Sequence, residues 1–122
     1  MRVFIADDSE IVRERLKELL SEISEVEIIG EAGDGEEAIK CILELHPDVV
    51  ILDIRMPGGN GIDVLQAIKR GDPALTVIML TNYPYPRYRK KCMDLGADYF
   101  FDKYSEFERV MGVIEQLTND SQ

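Results

Sequence analysis

Apolar positions along the chain follow two alternating rhythms. Short apolar runs lie at Val3–Ala6, Val26–Glu31, Val49–Leu52, Leu75–Leu80 and Tyr99–Phe101, the length of single strands. Between them, apolar residues recur at helical spacing over Glu10–Ile23, Glu36–His46, Ile62–Arg70, Pro86–Leu95 and Glu106–Leu117. Val49-Val50-Ile51-Leu52 is apolar without a break, as a strand covered on both faces should be. The second run carries Glu27 and Glu31, which places it at a sheet edge. The punctuation agrees with these divisions. Gly33-Asp34-Gly35 is a turn, and Pro47 stops the second helix. Met56–Gly61 is a loop. Gly71 closes the third helix, Pro86 sits in the first turn of the fourth, and Ser105 caps the last. Thr118–Gln122 reads as a polar tail.

Five strand–helix units joined by short loops predict an α/β fold: a doubly wound parallel sheet with helices on both faces. Right-handed crossovers leave few topologies. The order 2-1-3-4-5 puts the acidic second strand at the edge. No repeat, low-complexity segment or linker divides the 122 residues, so one domain is expected over 1–122, with a core of about 3–117.

Composition narrows the class. The formal net charge is −10, which argues against direct binding to nucleic acid and favours metal cations or basic surfaces. No apolar run approaches the roughly 18 residues of a membrane span, and the apolar start runs into Asp7-Asp8 too soon for a signal peptide. Cys41 and Cys92 lack metal or redox spacing. A cytoplasmic protein with reduced thiols is the expectation. The single His46 closes a helix before Pro47, far in sequence from the acidic loops.

In doubly wound sheets, ligands bind beyond the carboxyl ends of the strands, where strand order reverses. Asp7 and Asp8 follow the first strand, Asp53 the third, Thr81 the fourth and Lys103 the fifth. Each alone has a plain structural reading: Asp8-Ser9 as a helix cap, Thr81 as a β-branched strand residue, Lys103 as a surface charge. Together they make one crevice. Like charges about 4 Å apart repel by roughly 4 kcal/mol at an effective dielectric of 20, so three carboxylates there must take up a proton or bind a cation. Oxygen ligands suit Mg²⁺, with Mn²⁺ as an alternative. A carboxylate can also act as a nucleophile toward phosphorus. The oxygens of a phosphoryl group on Asp53 would then meet the metal, Lys103 and Thr81.

The full set resembles the receiver domain of two-component response regulators. The resemblance rests on Asp7-Asp8, Asp53-Ile54-Arg55-Met56-Pro57 with Gly61 behind it, Thr81, and Gly96-Ala97-Asp98 leading to Lys103, and spans about Val3 to Leu117. It implies a flavodoxin-like (CheY-like) fold and phosphoryl acceptance on Asp53 from a sensor histidine kinase or phosphotransfer protein. It further implies metal binding by Asp8, Asp53 and the backbone carbonyl of Arg55, with Asp7 acting through water. Lys103 would contact the phosphoryl group, while Thr81 and Phe100 would switch the surface met by a downstream partner or effector domain. Such a domain is no enzyme beyond self-catalysed phosphorylation and dephosphorylation. Several positions depart from the common pattern. Tyr104 replaces the usual proline after the lysine, Asn82 a small residue, Gly59 an apolar one, and Phe100 lacks the hydroxyl of the frequent tyrosine.

Two alternatives stand against this reading. A phosphatase or phosphotransferase on a similar fold would want a carboxylate two residues beyond the acceptor, where Arg55 stands. A pseudo-receiver acting only as a binding module would lack Asp53 or Lys103. Helical arithmetic puts Ile11 roughly 120° from the buried face of Val12, Leu16, Leu19, Leu20 and Ile23. Ile11 and Arg15 are therefore candidates for kinase docking. Arg55 and Tyr83, each two positions beyond a site residue, are candidates to control water at the acyl phosphate. Tyr85–Lys91 gathers four of the fourteen basic residues, a candidate output patch.

Overall fold

A computed structural model describes residues 1–120. The elements alternate: β1 (Arg2–Ala6), α1 (Glu10–Leu20), β2 (Glu27–Ala32), α2 (Gly35–Leu45), β3 (Val49–Leu52), α3 (Gly61–Gly71), β4 (Thr76–Thr81), α4 (Pro86–Asp94), β5 (Tyr99–Asp102) and α5 (Arg109–Asp120). All strand pairs are parallel and the sheet order is β2-β1-β3-β4-β5, as the pattern predicted. The strand period of two divides the core into halves. Phe4, Ala6, Val50, Leu52, Val77, Met79 and Phe100 face α2, α3 and α4. Val3, Ile5, Val49, Ile51, Ile78, Leu80 and Phe101 face α1 and α5. Burying each large side chain contributes about 1.5–3 kcal/mol, so a slipped register in β1 or β3 would lose both layers at once.

The helix starts are fixed by polar side chains. Ser9 Oγ accepts from Val12 N–H at 3.2 Å, Asp34 Oδ1 from Glu37 N–H at 2.8 Å, and Asn60 Oδ1 from Ile62 and Asp63 N–H. Ser9 of the Asp8-Ser9 pair is thus the cap, which leaves Asp8 free for other work. At α4 the cap position is Tyr85 without a side-chain bond, and Pro86 begins the helix as expected.

Three expectations are corrected. The last helix begins at Arg109, and Ser105 does not cap it. Its Oγ donates to Asp102 Oδ2, while Asp102 Oδ1 accepts from Tyr104 N–H and Glu106 Oε1 from Asp102 N–H. These local bonds hold 103–108 in turns instead of a helix. Second, Gly71 is the last helical residue of α3 rather than its left-handed stop, and Asp72 takes the cap. The left-handed stop is instead at α2, where His46 has φ 51° and donates its N–H to Ile42 O. Third, the polar tail starts later than expected. Thr118 is buried within α5, where its hydroxyl donates to Glu115 O. The remaining tail positions 121–122 lie outside the described residues.

Candidate functional site

The strand ends bring the acidic residues together. Asp7 and Asp8 leave β1, and Asp53 leaves the neighbouring β3, on either side of the point where strand order reverses. One carboxylate oxygen from each of Asp7, Asp8 and Asp53 lies within 4.8 Å of the others. Asp7 is 2% and Asp53 5% exposed, whereas Asp8 is open to solvent. An open cavity of about 320 Å³, lined by Asp8, Arg55, Met56, Pro57 and Asn60, adjoins them.

Lys103 closes the far side. Its Nζ donates to Asp7 Oδ2 at 2.7 Å and to Asp53 Oδ2 at 3.1 Å, and it is itself buried. Burial pushes the Asp53 carboxyl above its ordinary range, and Asp7 adds to the rise. Lys103 and the Ile54 N–H, which donates to Asp53 Oδ1 at 2.7 Å, pull it back only in part. Burial also opposes the charge on Lys103, but the hydrogen bond to Asp7 and the charge of Asp53 outweigh it and raise the ammonium above its usual range. One cation thus faces three carboxylates. The unmatched charge, the all-oxygen donor set and the open side at Asp8 fit a hard divalent cation.

Backbone packing sets where Asp53 stands. Gly61 N–H donates to Ile54 O at 2.6 Å, drawing the start of α3 against the residue after the acceptor. A Cβ on Gly61 would overlap the carbonyl oxygen of Asp53, so only glycine lets the two segments meet.

Thr81 ends β4 fully buried, and its Oγ1 accepts from Tyr83 N–H at 2.9 Å. Phe100 is buried in the core, in register with Met79. The Arg89 guanidinium lies 5.5 Å from the Phe100 ring centroid and donates to its carbonyl at 3.2 Å. Arg55 lays its guanidinium 4.1 Å from the centre of the Tyr83 ring. Its charge is favoured further by hydrogen bonding to Tyr88 on α4. Ile11 is 82% exposed, as the helical arithmetic placed it. Arg15 beside it is stacked 3.9 Å above Phe107. The Lys103–Tyr104 peptide is trans and Tyr104 projects into solvent. Sequence reasoning missed Arg13 and Arg89, whose guanidinia bond main-chain carbonyls next to the site. An arginine on the border of a helix's buried face is the only sequence signal they leave.

A match to the response regulator receiver domain spans residues 3–115. The chain belongs to this family. Chemotaxis protein CheY of Halobacterium salinarum is 37% identical over 116 residues, covering 95% of this receiver domain and 95% of that protein. Response regulator GacA of Pseudomonas aeruginosa is 29% identical over 117 residues, 96% of this chain but 55% of that protein. The receiver domain therefore spans about half the length of some curated relatives and nearly all of others. Among solved structures, the isolated REC domain of RcsB from Salmonella enterica serovar Typhimurium superposes with a TM-score of 0.89 at 31% identity, covering 98% of this chain and 88% of that one. Receiver domains use Mg²⁺ at an acidic cluster of the kind formed by Asp7, Asp8 and Asp53. No helix among the described residues is long and apolar enough to cross a membrane.

Proposed function

We propose that Asp53 is the phosphoacceptor of this receiver domain. The observation that carries the reading is the single buried ammonium of Lys103 bound to both Asp7 and Asp53 beside a third, open carboxylate. Asp8, Asp53 and the backbone carbonyl of Arg55 would hold Mg²⁺ or Mn²⁺, with Asp7 reached through water. The ion, when bound, neutralises charge on the incoming phosphoryl group. Asp7 already spends Oδ2 on Lys103 and Oδ1 on Ser9 N–H, which supports an indirect role for it.

In the transfer, a carboxylate oxygen of Asp53 forms a bond to phosphorus as the donor's P–N or P–O bond breaks. The leaving group departs with the electron pair. Lys103 then exchanges its contact with the Asp53 carboxylate for one with the phosphoryl oxygens. Thr81 gives up the Tyr83 N–H to bond the phosphoryl group, and Phe100 repacks against the space vacated. In autodephosphorylation the oxygen of a water forms a bond to phosphorus as the P–O bond to Asp53 breaks, which releases inorganic phosphate and returns the electron pair to the Asp53 carboxylate. The Arg55–Tyr83 stack stands at the mouth of the site and slows the attacking water.

The proposed donor is a sensor histidine kinase or phosphotransfer protein that docks over Ile11 and Arg15. The proposed output is a protein partner or effector domain meeting the basic, tyrosine-rich stretch of α4. There Arg87 lies 5.2 Å from the Tyr88 ring centroid, and Tyr85 is exposed. An excess of ten negative charges argues against nucleic acid as the domain's own ligand. DNA-binding response regulators are among the structural neighbours, and that activity is stated of those proteins. The proposed site of action is the cytoplasm, which a kinase donor and the free thiols of Cys41 and Cys92 support. Incubation with acetyl phosphate and Mg²⁺ should add one phosphoryl group by intact mass, and chelation should prevent it. Uptake indifferent to chelation would refute the metal-assisted reading.

A further inference from the structure

We infer that Arg13 is a positioning residue of the acidic site: it locks the Asp7–Asp8 peptide in the orientation that presents the Asp8 carboxylate to a divalent cation. The inference rests on the proposed reading of that site as a metal centre and adds to it a residue outside the carboxylates and Lys103.

Every polar atom of Asp7 is occupied. Its N–H donates to Ala32 O at 3.0 Å, its Oδ1 accepts from Ser9 N–H, and its Oδ2 accepts from Lys103. Its carbonyl oxygen accepts from Arg13 at 2.6 Å. That carbonyl belongs to the peptide joining Asp7 to Asp8, so its direction sets the plane from which Asp8 departs. Asp8 has no comparable anchors: it is exposed and no side-chain bond holds it. Its placement is inherited from the peptide before it.

Arg13 is well suited to fix that peptide. Its side chain is 17% exposed, and its Nε donates to Glu31 Oε1 at 2.9 Å on the edge strand β2. Glu31 is held in turn by Lys17, whose Nζ meets Oε2 at 2.6 Å. The planar fork of a guanidinium spans carboxylate and carbonyl together, which an ammonium cannot do. Gly33 leaves room on the other side, where a Cβ would come within 3.3 Å of the guanidinium.

The sign of the effect separates positioning from charge. Arg13 is a cation near a cation site, so by electrostatics alone its removal would tighten Mg²⁺ binding. Positioning predicts the opposite. Groups that orient metal ligands typically change affinity by about 10–100-fold when removed. Mg²⁺ affinity should be measured by calorimetric titration of wild type, Arg13→Ala, Arg13→Met and Arg13→Lys, well below each melting temperature. Leu20→Ala serves as a control, since it loosens the buried face of α1 without touching Asp7. The expected result is weaker binding in Arg13→Ala and Arg13→Met, little of the loss restored in Arg13→Lys because its ammonium lacks the fork, and wild-type affinity in Leu20→Ala. In phosphorylation by acetyl phosphate, the Mg²⁺ concentration at half-maximal rate should rise with little change in the rate at saturation. Arg13→Met preserves the apolar stem and carries the test should Arg13→Ala not fold. Unchanged or tighter Mg²⁺ binding in the Arg13 variants, or an equal loss in Leu20→Ala, would overturn the inference and leave the metal site standing. Absence of Mg²⁺ binding in the wild type would overturn the site itself, and the inference with it.

Discussion

Lys103→Met removes one charge while keeping the length of the side chain, and its effect can be worked from the site. Lys103 Nζ lies 2.7 Å from Asp7 and 3.1 Å from Asp53, with all three groups buried. At an effective dielectric of 20, a pair about 3 Å apart attracts by about 5 kcal/mol before desolvation is counted. Removing one partner of a buried pair costs about 3–5 kcal/mol net, because the other charge is left uncompensated. Here two are left, with oxygens no more than 4.8 Å apart. For a domain of this size, with an unfolding entropy of about 2.1 cal/mol/K per residue, that loss lowers the melting temperature by roughly 12–20 °C at neutral pH without metal. The pH dependence has a definite sign. Asp53 already has a raised pKa in the folded state, and loss of Lys103 raises it further. A raised acid binds more protons folded than unfolded, so lowering the pH stabilises the variant relative to wild type. The gap should narrow from neutrality down toward the ordinary carboxylate value of 3.8. Added Mg²⁺ should raise the variant's melting temperature more than the wild type's, since the ion then replaces the countercharge that Lys103 placed directly on the two carboxylates. Thermal unfolding followed by circular dichroism, in chelator and in Mg²⁺ across that pH range, reads all three effects. A variant as stable as wild type in chelator, or a gap constant with pH, would refute the assignment of Lys103 as the counterion of a buried carboxylate pair.

Gly61→Ala should fold less stably by about 1–3 kcal/mol, as overpacking does, and should accept phosphoryl groups more slowly because the added methyl pushes on the Asp53 carbonyl. Unaltered rate and stability would show that α3 yields freely there. The Ile11→Lys, Arg15→Glu double variant should be phosphorylated normally by acetyl phosphate but slowly by its cognate kinase; equal kinase rates would remove this face from docking. Arg55→Ala with Tyr83→Ala should shorten the life of the phosphorylated state, read by loss of mass over time, and an equal or longer life would contradict the shielding role of their stack.

The fold was legible because each layer repeats the same information. Period-two strands with both faces apolar, the acidic Glu27 and Glu31 at the edge, and loops marked by Gly33, Pro47 and Pro86 all favour one topology. The site was legible because strand ends gather there, so residues far apart in sequence could be placed in one crevice by order alone. What sequence did not show lies in local competition and in long side chains. Ser105 precedes an apolar helical pattern, yet Asp102 and Glu106 capture the nearby donors and delay α5 by three residues. Thr118 looks like tail because it is polar, but its hydroxyl folds back onto the helix and lets it be buried. Arg13 and Arg89 act at reach, each on a main-chain carbonyl, and nothing in residue spacing encodes where a flexible side chain ends. Ile11 was the favourable case, since its exposure follows from helix angle alone.

The most direct test of the central claim is the location of the phosphoryl group. After reaction with acetyl phosphate and Mg²⁺, trapping of the acyl phosphate and peptide mapping should place the label on Asp53 alone, and Asp53→Asn should remain folded and unlabelled. A label on another residue, or Asp53→Asn labelled at the wild-type rate, would contradict the account.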